Sequence, residues 1–250
     1  DGKYRDPSGY YNWDVRYAKK VSERFAYKIT AGLIQAKDWL AADNRNVTRS
    51  GPFLGSIVPG TRATDPNYDG MNFYGDETTI DLNLVLNGIA GQAPFLAPYI
   101  STLTGSPNPV SRTGYSEKEV TNPNTTNFKL GASFNYKITN SVEAILSGFW
   151  GTGTTVYTGS DRYSLLDLKM GQYKLEFKHK NWNLKAYTTQ ENAGQSYNAT
   201  VTTRLFNEAW KPSPQWYTEY GQAYLGSLLS GMTSINAHNM ARSVADAGRP

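Results

Sequence analysis

The sequence contains no cysteine, which removes thiolate nucleophiles, disulfides and cysteine-based metal sites together. It has only two histidines, His179 and His238. They lie far apart in the chain, and neither stands in a motif such as H-E-x-x-H. His179 is expected in a turn and His238 on a helix surface. No run of ~18 apolar residues occurs, so no transmembrane helix is expected. The nearest stretch, 82–100, is interrupted by Asn83, Asn87, Gln92, Pro94 and Pro98, which predicts a loop helix followed by coil. Charge of neither sign dominates: 25 basic and 21 acidic side chains leave a net +4, too little to argue for nucleic acid. Carboxylates are plentiful but form no spaced acid/base pair, so no enzyme activity, catalytic residue or cofactor is expected.

What is present is period two. Phe128, Leu130, Ala132, Phe134, Tyr136 and Ile138 alternate with Lys129, Gly131, Ser133, Asn135 and Lys137. Successive side chains of a strand point to opposite faces, so this segment has one apolar and one polar face. Thr139-Asn140 supplies a turn, and Val142, Ala144, Leu146, Gly148 and Trp150 resume the pattern. The same alternation marks Tyr11 to Tyr17, Phe25 to Leu33, Tyr173 to Lys178 and Trp182 to Thr189. Six strands are predicted, near 10–18, 25–35, 126–138, 141–151, 163–178 and 182–189. Around Asp167 to Gly171 the parity flips, which predicts a bulge. Such strands are long beside a usual ~5–6 residues, and a tilted strand needs ~9–11 to cross a bilayer. A mean hydropathy of −0.55 does not oppose this, because barrel strands are only half apolar.

The joints are unequal. Short turns alternate with two long segments, 36–125 and 190–250, and a structureless loop of roughly ninety residues is foreign to a compact soluble domain. Short turns at one end and long loops at the other is the pattern of an outer-membrane barrel. The fold class expected is therefore all-β: part of a large antiparallel transmembrane β-barrel whose long extracellular loops contain short helices. One such helix is predicted near 78–90. In the last segment Tyr217, Tyr220, Tyr224 and Leu228, widened by Leu225 and Leu229, recur at helical spacing. They predict one or two amphipathic helices that dock on a rim or partner, or that pack the segment on itself. Aromatics fall at both ends of the apolar band: Tyr17, Phe25, Tyr136 and Trp182 near the short turns, Tyr11 and Trp150 near the long loops. That is the arrangement of membrane-interface aromatics.

Several phrases go further than pattern. RYAKKVSERFAYKITAGLIQAKDW, NYDGMNFYGDE, GTGTTVYTGSDRYSL, KNWNLKAYTTQENAGQSY and HNMARSVADAGRP resemble, in collinear order, the barrel of SusC/RagA-type TonB-dependent transporters. The resemblance covers 10–250 and implies a partial TonB-dependent receptor barrel over 1–250: about six strands of 22 around a plugged lumen. It further implies placement in the cell outer membrane and import of nutrients such as glycans or peptides. The implied partners are a SusD-like surface lipoprotein, TonB-ExbB-ExbD acting through a plug region, outer-membrane lipid and the remaining barrel strands; no nucleic acid is implied. The sequence lacks the family's plug, its TonB-contacting segment and its closing strand, and both ends fall outside any complete element, so a fragment that would not transport alone is expected.

On this reading the lumen face carries Arg16, Lys28, Lys129, Lys137, Lys174, Lys178 and Lys185 against Asp14, Glu143 and Glu176. Such charge would attract an acidic ligand or pair with carboxylates of a plug. Tyr68, Tyr74, Trp210 and Trp216, placed in the long loops, are the substrate-binding candidates. Asp65, Asn67 and Asp69 match the opening of a D-x-[DN]-x-[DN]-G calcium loop. However, Asp76 stands at the twelfth position and Pro66 inside the loop, so an Asx-rich turn competes and no metal is expected. Two other functions remain open: a structural subunit of a larger outer-membrane assembly, and a soluble carbohydrate-binding β-sandwich.

Overall fold

A computed structural model describes residues 8–49, 55–159 and 161–250. The chain opens with strands β1 (Tyr10–Lys20) and β2 (Phe25–Lys37). Four short strands follow, β3 (Asn46–Val47), β4 (Ile57–Val58), β5 (Phe73–Tyr74) and β6 (Thr79–Asp81), then helices α1 (Asn83–Gln92) and α2 (Ala97–Leu103). Next come β7 (Pro109–Ser111), β8 (Tyr115–Ser116) and the single turn α3 (Glu117–Val120). Long strands resume with β9 (Asn124–Lys137), β10 (Val142–Thr158), β11 (Arg162–His179) and β12 (Trp182–Asn192), and the chain ends with β13 (Tyr197–Asn198), α4 (Ala199–Trp210), α5 (Ser213–Leu229) and α6 (Ser234–Ala245). It divides into two compact units, 1–40 with 121–198, and 41–120 with 199–250.

The first unit is one antiparallel sheet in the order β1-β2-β9-β10-β11-β12, with β13 added beside β11. It is a meander: each long strand lies next to its neighbour in sequence. All six predicted strands are present. The strand expected over 141–151 runs on to Thr158, because Thr154, Thr155, Val156 and Tyr157 are good strand formers. The Gly/Thr-rich run after Trp150 is thus ladder, not loop. The predicted bulge sits where the β10–β11 register jumps from Gly153↔Leu168 to Thr155↔Leu165. Thr154 there faces both Leu166 and Asp167, and Asp167 takes φ 54°, the left-handed conformation a bulge residue adopts. The sheet is open. Among the described residues β1 pairs only with β2 and β12 only with β11, and the unit itself contains one sheet, not the two packed layers of a sandwich.

The second unit corrects the expectation of two long loops. Segments 41–120 and 199–250 fold together around a core of their own: Leu82, Leu86, Ile100 and Val110 from the first, Trp216, Tyr217, Tyr220, Tyr224 and Leu225 from α5, and Ala237, Ala241 and Ala245 from α6. The helix predicted over 78–90 is α1, starting later. The alanines recur every fourth residue, so α6 presents a shallow stripe on which the α5 rings lie. Tyr217, Tyr220 and Tyr224 are buried and Leu229 is exposed; the tyrosine stripe packs the segment on itself. Helix makes up 27% of the protein against 43% strand, so the fold is mostly β rather than all-β.

Candidate functional site

The site is the six-stranded sheet, whose two faces differ in chemistry. Register fixes which residues share a face, because directly opposed residues point the same way. Tyr17↔Ile29 and Ile29↔Ala132 continue through Ala132↔Gly148 and Gly148↔Tyr173. The next rows join Tyr27, Phe134, Leu146, Leu175 and Ala186, and Val15, Ala31, Leu130 and Trp150. All six apolar stripes fall on one face. Its side chains are uncovered: Trp13 and Val15 are 65% exposed and Leu184 62%. A contiguous apolar face of this breadth marks contact with lipid or another protein. The candidate interface aromatics Tyr11, Tyr17, Phe25, Tyr136, Trp150 and Trp182 all lie on it. Tyr17 packs on Tyr27 at 6.0 Å and Phe128 edge-on to Trp150 at 6.2 Å.

The opposite face carries all seven candidate cations, interspersed with the exposed apolar side chains of Phe149, Met170 and Tyr187. Arg16 pairs with Thr30, Lys28 with Ser133, Lys129 with Gly151, Lys137 with Glu143, Lys174 with Ser147, Lys178 with Glu143 and Lys185 with Glu176. Glu176, almost fully covered, takes Lys174 at 2.7 Å, Lys185 at 3.8 Å and an amide hydrogen bond from Asn183 at 3.0 Å. Glu143 accepts from Asn135 at 3.1 Å. Arg16, Lys28, Lys129, Lys137 and Lys178 form no ion pair among the described residues, so this face keeps excess positive charge. At its centre lies a bowl of about 680 Å³ lined by Asp14, Arg16, Lys129, Gly131, Phe149 and Gln172. Its floor is low because glycines leave room for neighbouring side chains: a Cβ on Gly131 would stand 2.6 Å from Thr30 Oγ1 and 3.0 Å from the Phe149 ring. Sequence reading missed this bowl; glycines at polar-face positions of adjacent strands are the signal that locates it.

The proposed substrate aromatics lie elsewhere, in the second unit, and three are withdrawn from any ligand. Trp216 is fully buried, and Tyr68 and Tyr74 nearly so. Trp216 donates its indole N–H to Asp246 Oδ1 at 2.9 Å, with the guanidinium groups of Arg112 and Arg242 against its ring at 5.4 and 5.6 Å. Tyr68 donates to the Asn44 carbonyl at 2.6 Å and Tyr74 to Glu117 Oε2 at 2.9 Å. Trp210 is half-buried beneath Lys211. Sequence alone points these rings at a ligand because aromatics in apparent loops have no core to occupy; in the structure Tyr68, Tyr74 and Trp216 are buried core residues.

Asp65, Asn67 and Asp69 do not converge on a metal. Asp65 Oδ1 accepts from the Asn67 backbone N–H at 2.8 Å and Oδ2 from Asn46 at 2.6 Å, Asn67 Oδ1 accepts from Thr79, and Asp69 faces Arg49 at 3.6 Å. This is the Asx turn. Among the described residues no group of three metal-ligating side chains forms. Next to it Arg62 reaches Asp76 at 2.8 Å and Ser111 at 2.7 Å. Burial outweighs the Arg62 charge and raises the Asp76 carboxyl to about 6. His238 corrects the expected surface position: it is buried, hydrogen-bonded to Tyr220 Oη at 3.0 Å and stacked on Tyr224 at 4.2 Å. It lies beside the core-facing stripe of Ala237, Ala241 and Ala245, whose small side chains give a weak apolar signal in the sequence. His179 closes β11 and stacks on Trp182 at 5.6 Å.

Two buried groups set opposed pH dependences in this unit. Burial, reinforced by Asp76, lifts Glu77 from 4.5 to about 7. Its contribution is fully present below pH 4.5 and lost as pH rises through 7. Burial, reinforced by Arg242, lowers His238 from 6.5 to about 4. Its contribution is present above pH 6.5 and lost as pH falls through 4. The Glu77 and His238 contributions oppose each other in wild type, while Asp76, raised from 3.8 to about 6, adds a loss as pH rises through 6. In thermal unfolding Glu77→Gln should be more stable than wild type at pH 8, by on the order of 2 kcal/mol, and lose that advantage at pH 4.5. Parallel curves for the two proteins would show that Glu77 is not held in its neutral form by the fold.

Comparison with known protein families, curated proteins and solved structures finds no match to this chain. The functional reading accordingly rests on the two faces of the sheet.

Proposed function

We propose that the sheet is a stretch of wall of an outer-membrane β-barrel importer of the SusC/RagA type, its apolar face against lipid and its cationic face toward the lumen. The observation that carries this reading is the register. Six strands built from separate sequence segments set their apolar residues on one uncovered face, rimmed by aromatics, with the cations opposite. Among the described residues both edges of the sheet, each a strand of 11 residues, are unpaired, which fits a wall that continues into further strands, because an exposed long edge is otherwise a pairing hazard. Import of glycans or peptides, energised through TonB-ExbB-ExbD with a SusD-like lipoprotein at the mouth, follows from the sequence resemblance alone.

The absence of cysteine makes the test direct. Single cysteines at consecutive positions 12–17 of β1 and 183–188 of β12, labelled with an environment-sensitive fluorophore in lipid vesicles, should alternate. Labels at Trp13, Val15, Leu184 and Ala186 should report hydrocarbon, and those at Asp14, Arg16, Asn183 and Lys185 water. A uniform aqueous signal at both parities would sink the reading.

A further inference from the structure

The sheet is electrically polarised along its strands, and this polarity points to a particular lipid. Antiparallel order brings the three short turns, at 21–24, 138–141 and 180–181, to the same end. That end carries Lys19, Lys20, Arg24, Lys137, Lys178 and Lys180 against only Glu23 and Glu143, and Glu23 is engaged by Lys20. The opposite strand ends carry Lys37, Arg162 and Lys169 against Asp38, Asp161, Asp167 and Glu191. One rim is thus strongly cationic and the other slightly anionic.

One detail places a cation where a headgroup would be. Lys19 pairs with Tyr27, which puts it on the apolar face one step beyond Tyr17 toward the turn. A cation there can leave the hydrocarbon only by extending past the aromatic row into the headgroup layer. Lys137 and Lys178 belong to the opposite, cationic face, where they line a cleft of about 590 Å³ with Glu143, Thr139, Asn140 and Ser141, so they add positive charge to the rim without facing lipid.

We propose that the short-turn rim binds the phosphates of anionic phospholipid, of the phosphatidylglycerol class, in the leaflet it faces. This rests on the membrane placement of the sheet and goes beyond it, since an apolar band alone distinguishes no headgroup. A basic residue near an anionic surface contributes ~1 kcal/mol, so the three exposed rim cations Lys19, Arg24 and Lys180 should favour an anionic over a zwitterionic lipid by at least ~10-fold even when partly screened by salt.

The test uses the detergent-extracted protein in phosphatidylcholine vesicles doped with nitroxide-labelled phosphatidylcholine or nitroxide-labelled phosphatidylglycerol. The motionally restricted lipid fraction is read by electron spin resonance. The expected result is a restricted component with both lipids, preferring phosphatidylglycerol by about 10-fold, weakened by salt, and abolished in a Lys19→Gln/Arg24→Gln/Lys180→Gln variant. All three side chains are exposed, so the variant should keep its fold. Equal restriction of both lipids would overturn the headgroup proposal and leave the membrane placement standing. A preference that survives the triple variant would overturn the assignment to this rim. No restricted component with either lipid would overturn the membrane placement and the proposal with it.

Discussion

Leu146→Arg should destabilise the protein in lipid by ~2–4 kcal/mol, the effect of a basic side chain near the midplane of a barrel's lipid face. Leu146 lies on β10 opposite Phe134 and Leu175, midway between Trp150 and the short-turn aromatics, and is 54% exposed. The partner experiment is Gln172→Arg on β11, an exposed position on the cationic face, where the same side chain should cost little. Urea unfolding in vesicles separates the two. An arginine at Leu146 that shifts stability by less than ~0.5 kcal/mol, the ordinary range for a surface change in water, would mean that the face meets water.

Trp216→Ala should unfold the second unit. Trp216 is its largest fully buried side chain, and truncating a core tryptophan costs ~3–5 kcal/mol, a large share of the ~5–15 kcal/mol by which domains are stable. The change also leaves Asp246 without its indole donor and removes the ring between Arg112 and Arg242, so buried charge is exposed to poorer company. Proteolysis should then cut within 41–120 and 199–250 while the long strands stay protected. A variant as resistant as wild type would refute the core described here. Trp216→Phe, which keeps much of the volume and loses the N–H, should fall between the two.

Much of the sheet was legible and little of the second unit was, for different physical reasons. A strand such as β9 declares itself because Phe128 through Tyr136 alternate against Lys129 through Lys137, and one residue of slip would invert every side chain. The far end of β10 did not, because Gly151 and Gly153 present no side chain to alternate and Thr154 and Thr155 suit either face. The second unit has no short-range period in its first half. Its order comes from hydrogen bonds across long separations: Asn83 to the Ser106 carbonyl, Asn207 to the Gly75 carbonyl, Arg242 to the Pro66 carbonyl. Gly75 shows how specific these are. It takes φ 93°, and a Cβ there would meet Asn207 and Thr203 at 3.1–3.2 Å. Only glycine combines that conformation with that approach. The α5 stripe was legible as a helix, but nothing in its own spacing identified the alanines of α6 and Leu82, Leu86 and Val110 as its partners.

The division of the second unit between 41–120 and 199–250 orders events during synthesis. The first part is complete long before α5 exists, so Leu82, Leu86, Ile100 and Val110 must wait, uncovered, until the sheet residues between have been made. Closing so long a loop carries an entropic cost, and contacts of such separation form slowly. In the interval the chain displays both an unfinished core and the apolar stripes of β9 to β12, the combination that makes folding intermediates sticky. The order of synthesis therefore keeps the core of the second unit unfinished and open to aggregation until residues 199–250 are made.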